Sequence, residues 1–276
     1  MTHEFLQSGT GSFVFSDPAA QPTGSIRVFY ARTHSDIRNA PIVIGMHGID
    51  RAAEAFRDSL ADRAMRNGQL VLVPEFDNDQ FPGPHAYNFG GVCLPLPSNA
   101  VLPRQDWNFS LIDRLFQHVR RAFGSNRTTF GMFGNSAGSQ YVLRYLALTD
   151  AAAVDRAVAS NSGAYMLPDL QSDYPDGMGG LDLDHGSVQR YFARPLVILL
   201  GDADTDTSEP HPPQSAAAMA QGPHRLARGH WHFNHCTQLA REFGVPLTWK
   251  LEVVKYAGHV SQQIFDRAVD ILGGKA

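Results

Sequence analysis

A serine between closely spaced glycines is the first feature of the sequence that could do covalent chemistry. Residues 134–138 read Gly-Asn-Ser-Ala-Gly, which fits the pattern G-x-S-x-G with Ser136 at its centre. This pattern is typical of a tight strand-to-helix turn, where the chain crowds itself and favours glycine. The turn lifts the serine hydroxyl into a cleft and places the amide of Ala137 at a helix N-terminus, where it can donate to an oxyanion. The alternative is a glycine-rich turn with a helix-capping serine.

A serine hydroxyl is a weak nucleophile, so a base must take its proton. In the chain order Ser, acid, His, the base comes last. Of the twelve histidines, His259 alone lies between the last strand pattern and the last helix pattern. We therefore predict His259 as the general base. The alternative is a surface histidine that caps the last helix.

Three aspartates, Asp202, Asp204 and Asp206, follow the clearest strand pattern and compete for the role of the acid. The acid must reach the Nδ1 proton of the base and hold the imidazole in one tautomer. Asp202 lies very close to the strand, and Asp206 is placed to start a helix. We expect Asp204 to be the acid, with Asp206 next and Asp202 last.

A second oxyanion donor is expected near the first strand–helix junction. His47-Gly48-Ile49 follows the strand pattern that ends at Met46, and glycine lets the backbone approach a substrate closely. We predict that the amide of Ile49 donates together with the amide of Ala137. His47 itself is interpreted as a structural histidine that braces this loop.

Short apolar strand patterns alternate with helical stripes along the chain. The predicted strands cover residues 41–46, 70–73, 128–133, 154–160, 195–200 and 249–254, and the predicted helices cover residues 54–65, 109–123, 136–148 and 261–272. This alternation predicts an α/β fold, with a mostly parallel sheet covered by helices on both faces. Residues 25–31 could add antiparallel edge strands before the parallel part.

One domain over residues 1–276 is expected, because the sequence has no repeat, low-complexity tract or evident linker. Residues 163–186 interrupt the pattern, since they are rich in Gly, Asp and Pro and have weak periodicity. Such a segment is typically a functional loop, a lid or a disordered stretch. Its position after a strand favours a wall or small lid of the active site.

Together these motifs resemble the α/β-hydrolase family, and within it the esterase and polyhydroxybutyrate-depolymerase-like branch. The resemblance spans residues 40–272 and also includes Pro74-Glu75-Phe76 and Tyr87-Asn88. It implies a serine hydrolase that cleaves carboxylic esters through an acyl-enzyme, and it carries the catalytic and oxyanion roles onto five positions: Ser136, Asp204, His259, Ala137 and Ile49. Secreted polyester depolymerases have export signals and often polymer-binding modules. This chain shows neither pattern, which favours a small soluble ester as the substrate.

Other functions remain compatible with the same residues. An amidase or peptidase and an acyltransferase use the same triad. A non-catalytic ligand receptor is the alternative from another class, because fold alone does not determine function.

Two further segments are candidates for ligand contacts. Tyr87 and Trp107 could line the acyl or alcohol pocket, or they could anchor a long loop to the core. The run His230–Cys236 is rich in metal-ligating side chains but lacks the four-ligand spacing of closed zinc sites, so we interpret it as a helix packed on the sheet. No metal and no organic cofactor are predicted, since no glycine-rich nucleotide-binding loop follows a strand.

Composition narrows the partners and the compartment. The net charge of −4 provides no basic field for nucleic acid or an anionic membrane. Cys93 and Cys236 are the only cysteines, and we expect two free, buried thiols. The first residues lack a signal-peptide pattern, and no apolar run is long enough to span a bilayer, so a cytoplasmic protein is expected. The oligomeric state stays open.

Overall fold

A sheet of eight strands forms the centre of the computed structural model, which describes residues 7–16, 24–33, 37–208 and 213–274. In chain order the strands are β1 (Gly9–Ser16), β2 (Ser25–Arg32), β3 (Ile42–Met46), β4 (Leu70–Pro74), β5 (Phe130–Asn135), β6 (Val154–Ser160), β7 (Leu196–Gly201) and β8 (Lys250–Val254). Their spatial order is β1-β2-β4-β3-β5-β6-β7-β8. Strands β3 to β8 are parallel, whereas β2 pairs antiparallel with both β1 and β4. The predicted α/β class with a mostly parallel sheet is therefore confirmed.

Helices connect the parallel strands. They are α1 (Ala53–Arg66), α2 (Gly83–Ala86), α3 (Phe109–Phe123), α4 (Ala137–Leu148), α5 (His185–Phe192), α6 (Ala216–Ala220), α7 (Arg225–Glu242) and α8 (Gln262–Leu272), with a short 3-10 turn at Arg104–Asp106. None of the helices in the described ranges is both long and apolar enough to cross a membrane.

Apolar side chains cover both faces of the sheet, because successive residues of a strand point to opposite faces. In β3, Ile42, Ile44 and Met46 belong to the core that includes α3 and α4. Val43 belongs to the second core, which includes α1 and α8. Burial on both faces explains why the parallel strands are continuous apolar runs. The predicted helical layers on both faces are confirmed.

The antiparallel edge was only partly predicted. Strand β2 matches the expected edge at residues 25–31, but β1 was not predicted as a strand. In β1, Phe13 and Phe15 are buried and Val14 between them is exposed, the alternation of a strand with one face in the core.

Strand β5 extends further than predicted, through Asn135, and the turn begins at Ser136.

Both cysteines are buried and carry free thiols, as predicted.

Candidate active site

Ser136 occupies a strained turn between β5 and α4. Its backbone has φ 59° and ψ −117°, a conformation that non-glycine residues rarely adopt. The Ser136 amide donates to the Ser160 carbonyl at 3.0 Å, which ties the turn to the end of β6. A Cβ at Gly134 would lie 2.2 Å from the Gly138 carbonyl oxygen, and a Cβ at Gly138 would lie 1.9 Å from the Met46 carbonyl oxygen. The turn therefore requires both glycines.

His259 and Asp204 are hydrogen-bonded to each other. His259 Nδ1 lies 2.9 Å from Asp204 Oδ2, and Asp204 is buried. His259 lies in the loop between β8 and α8, and Asp204 lies in the loop after β7. A carboxylate on Nδ1 fixes the tautomer that leaves Nε2 available to accept a proton. The structure therefore brings together two of the predicted site residues that are 55 positions apart in the chain.

The other two aspartates do not contact this histidine. Asp206 is exposed and accepts hydrogen bonds from the hydroxyl and the amide of Ser208, which lower the pKa of its carboxyl group. The amide of Asp202 donates to the Val254 carbonyl at the end of β8. Of the three candidates, the geometry favours Asp204.

Arg225 is a site residue that sequence reasoning missed. It is the first residue of α7 and is 3% exposed, and its Nη1 lies 3.2 Å from Asp204 Oδ1. The buried guanidinium compensates the charge of the carboxylate that also accepts from His259. No sequence spacing indicated this contact, because α7 reaches Asp204 only through the tertiary packing.

His47 stabilises the loop after β3 through hydrogen bonds, as predicted. His47 is fully buried, its Nε2 accepts from the Phe76 amide at 3.1 Å, and its Nδ1 donates to the Gly48 carbonyl at 3.0 Å. Burial lowers the pKa of His47 to about 4, so the ring is neutral at ordinary pH. The Tyr87 hydroxyl donates to the His47 carbonyl at 2.6 Å.

Arg51, like His47, holds the loop that carries Ile49 in place. Arg51 has φ 58°, its guanidinium donates to the carbonyls of Phe76 and Gly83, and it stacks 4.3 Å from the centre of the Tyr87 ring. The close approach of α4 to the carbonyls of Met46 and His47 brings this loop against the Ser136 turn. The two segments with the expected oxyanion donors, Ile49 and Ala137, are therefore in contact. The Ala137 amide begins α4 and has no acceptor within the helix.

Ser136, His259 and Arg225 line one cleft of about 460 Å³. Side chains from the loop after β3, from α1 and from the start of α8 form much of its remaining wall. The apolar members are Ile49, Ala52, Ala55, Phe56, Val260 and Phe265. The cleft is thus a largely apolar space beside a hydroxyl and an imidazole.

Tyr87 and Trp107 are not among the residues that line this cleft, so of the two roles considered for them the structure favours loop anchoring over contact with the substrate. Tyr87 is fully buried under Arg51. Trp107 is 4% exposed and its indole N–H donates to the Leu102 carbonyl at 2.9 Å. Both side chains anchor loops to the core, because their polar atoms are satisfied by nearby backbone.

Residues 163–186 are irregular as predicted, with no helix until α5 begins at His185, but the expected wall or lid is corrected. The structure describes every one of these residues, and none of them lines the cleft beside Ser136. Tyr165, Tyr174 and Met178 are buried in the core instead. Arg144 of α4 donates to the Pro175 carbonyl, which ties the segment to α4.

The histidine-rich run on α7 packs against the core, as expected. His232 is buried, stacked 4.4 Å from the Tyr165 ring and 5.8 Å from the Trp249 ring. Trp231 and His235 stack on each other at 4.8 Å. Within the ranges that the structure describes, no group of three or more His, Cys, Asp or Glu side chains is arranged to hold a metal ion.

Comparison with solved structures identifies hydrolases. Poly(aspartic acid) hydrolase-1 from Sphingomonas sp. KT-1 is 33% identical, with 97% of this chain and 99% of that chain covered and a TM-score of 0.91. The poly(3-hydroxybutyrate) depolymerase LpqC from Bordetella parapertussis is 28% identical, with 98% and 91% covered and a TM-score of 0.90. An S-formylglutathione hydrolase from Agrobacterium tumefaciens shares the fold at 14% identity, with 96% and 95% covered and a TM-score of 0.61. No protein-family model and no curated protein sequence matches the chain.

Proposed function

The chain belongs to the α/β-hydrolase family, within its esterase and depolymerase-like branch, and from this premise we propose that it is a serine hydrolase of carboxylic esters. One observation carries the proposal. Ser136 on its strained turn shares a cleft with His259, whose Nδ1 is hydrogen-bonded to buried Asp204. A nucleophile, a base and an orienting acid in this arrangement support acyl transfer.

The proposed reaction has two half-reactions. His259 Nε2 takes the hydroxyl proton as Ser136 Oγ attacks the ester carbonyl, and the amides of Ile49 and Ala137 donate to the resulting oxyanion. The intermediate collapses, the C–O bond to the alcohol breaks, and His259 returns the proton to the leaving oxygen. Water, deprotonated by His259, then attacks the acyl-enzyme. The bond between Ser136 Oγ and the acyl carbon breaks, and His259 returns the proton to Oγ, which releases the acid and free Ser136. Asp204 stabilises the imidazolium without taking up its proton, and Arg225 holds the Asp204 carboxylate through its other oxygen.

Replacement of the proposed nucleophile tests this mechanism. We expect Ser136→Ala to lower kcat for p-nitrophenyl butyrate by about 10⁴-fold or more, because no other group can form the acyl-enzyme. Release of p-nitrophenolate measures the rate. Ser139→Ala, one turn along α4 and outside the cleft, is the matched control and should keep its activity. Equal turnover by wild type and Ser136→Ala would refute the proposal.

The apolar wall of the cleft supports an uncharged group beside the scissile bond. Asp50 at the rim is exposed, and Arg225 is already paired with Asp204. We expect kcat/KM to be at least about tenfold higher for p-nitrophenyl butyrate than for p-nitrophenyl hemisuccinate, an ester with an added carboxylate. The reason is that an anion gains no new partner in this cleft. Competition between the two esters measures this ratio. Preference for the hemisuccinate would indicate an anionic substrate.

An amide hydrolase is the second candidate. The 33% identical relative is named as a hydrolase of poly(aspartic acid), a polymer whose units are joined by amide bonds. Three rates distinguish an ester hydrolase from an amide hydrolase: release of p-nitroaniline from the butyryl anilide, release of p-nitrophenolate from the butyryl ester, and cleavage of poly(aspartic acid). Product analysis with added alcohol detects acyl transfer, and lack of labelling by a fluorophosphonate would favour a receptor.

A further inference from the structure

Two side-chain amides, one at the end of β5 and one directly after β6, bind the main chain of His259. Asn161 Nδ2 donates to the His259 carbonyl at 3.1 Å and lies 3.4 Å from the Gly258 carbonyl. Asn135 Nδ2 donates to the same His259 carbonyl at 3.3 Å. Asn135 directly precedes Ser136, and Asn161 directly follows β6. The main-chain carbonyl of the proposed base is therefore held by the residue before the nucleophile and by the residue after the neighbouring strand.

The oxygen ends of both amides are also occupied. Asn161 Oδ1 accepts from the Gly201 amide at 3.0 Å, and Gly201 ends the strand that leads to Asp204. Asn135 Oδ1 accepts from the Ser160 hydroxyl at 2.7 Å. The His259 carbonyl can only accept, so a flip of either amide would bring two oxygens together. At Asn161 the flip would also bring an N–H against the Gly201 N–H, so the partners determine its orientation at both ends.

Asn161 makes this contact from a buried position with an unusual backbone conformation. It is fully buried and has φ 48°, in the left-handed region that asparagine tolerates better than most residues. Its own amide donates to the Leu199 carbonyl of β7 at 3.3 Å. A strained, buried polar residue persists only where its surroundings compensate for it. Here the compensation comes from Leu199 and Gly201 of β7, the strand that leads to Asp204, and from the loop after β8 that carries His259.

We propose that Asn161, supported by Asn135, is a positioning residue that fixes the His259 main chain so that its imidazole spans Asp204 and Ser136. The inference rests on the proposed function and adds a residue to it. His259 lies in an irregular loop, so no regular secondary structure holds its backbone in place. The amides supply that constraint from the sheet, and small displacements of a catalytic group are costly in rate.

Two variants and one matched control test the role. Asn161→Gly removes the amide and still permits a positive φ. Asn161→Asp keeps the size and the acceptor for Gly201 but loses the donor to His259. Asn99→Gly is the control, because Asn99 also has a positive φ, of 45°, and donates from Nδ2 to a carbonyl, that of Tyr174 at 3.1 Å. Asn99 lies outside the cleft.

The rates are measured per active site titrated with a fluorophosphonate, so that unfolded protein does not count. We expect Asn161→Gly to lower kcat for p-nitrophenyl butyrate about 10- to 100-fold with KM nearly unchanged, and Asn99→Gly to match wild type. The activity of Asn161→Asp relative to wild type should rise as the pH falls, because a protonated carboxyl group can donate again. The ratio for Asn161→Gly should stay flat. An unchanged kcat per titrated site in Asn161→Gly, whatever its Tm, overturns the proposal.

Failure of the proposed function is recognised separately, as equal turnover by wild type and Ser136→Ala. In that case the His259 Nδ1 proton resonance, assigned by its loss in His259→Gln, reports the His259–Asp204 bond without substrate. We expect that resonance to be lost in Asn161→Gly and kept in Asn99→Gly. Its persistence in Asn161→Gly refutes the positioning role as well.

Discussion

Asp204 uses its two carboxylate oxygens for different partners. Oδ2 faces His259 Nδ1 and Oδ1 faces Arg225 Nη1, at 2.9 and 3.2 Å. A buried carboxylate is costly unless it is paired and hydrogen-bonded, and here both conditions are met. One contact of the Asp204 side chain thus orients the imidazole, and the other compensates the charge of the carboxylate.

A pair of matched aspartate variants tests the assignment of the acid. We expect Asp204→Asn to lower kcat about 10³- to 10⁴-fold, because an amide can hold His259 in the wrong tautomer. Asp206→Asn should stay near wild type, since Asp206 is exposed and bound only to Ser208 among the contacts observed. Steady-state hydrolysis of p-nitrophenyl butyrate by both variants decides this. The reverse order of losses would assign the role to Asp206.

At the scale of elements, the contact between α4 and the end of β3 sets the distance between the nucleophile and the expected oxyanion loop. Gly138 in the first turn of α4 packs directly against the carbonyls of Met46 and His47. Helix and loop cannot approach this closely with a side chain between them. The second glycine of G-x-S-x-G therefore serves the packing of two elements, beyond the conformation of the turn itself.

Substitution of that glycine should separate the two elements. We expect Gly138→Ala to destabilise the protein by about 3 kcal/mol and to lower kcat, because backbone carbonyls cannot yield to the new methyl group. Urea denaturation measures the stability. Gly24→Ala is the control, as a Cβ there meets nothing within 4 Å. A Gly138→Ala protein with wild-type stability would contradict the packing argument.

At the scale of the whole molecule, buried histidines link folding to pH. Burial lowers the pKa of His47 to about 4 and that of His232 to about 3, from 6.5 for an exposed histidine. As the pH falls below 6.5, the unfolded chain takes up protons that the folded chain does not. The stability contributed by the neutral rings is therefore complete above that pH and is lost progressively as the pH falls toward 4 for His47 and toward 3 for His232.

The free energy of unfolding should accordingly fall on acidification. We expect a loss of about 2 kcal/mol for each of these histidines between pH 7.5 and pH 5. Urea denaturation at several pH values measures the slope. In His232→Phe, which keeps a ring between Tyr165 and Trp249, the slope should be shallower. An identical slope would show that His232 is not the titrating group.

The sequence by itself determined the fold class, the glycine-bounded serine and the histidine at the last junction. These features depend on local periodicity and on the crowding of a single turn, which neighbouring residues determine. Asp204 was ranked above Asp202 and Asp206 on sequence position alone, and the hydrogen bond to His259 in the structure supports that ranking.

Only the tertiary structure revealed the contacts between loops. Arg225 meets Asp204 because α7 packs beside β7, and the amides of Asn135 and Asn161 meet His259 across parallel strands. Within residues 163–186, Tyr165, Tyr174 and Met178 pack in the core, because the burial of large apolar side chains is favourable. Such contacts join residues far apart in the chain, and no local pattern encodes which loop will lie beside another.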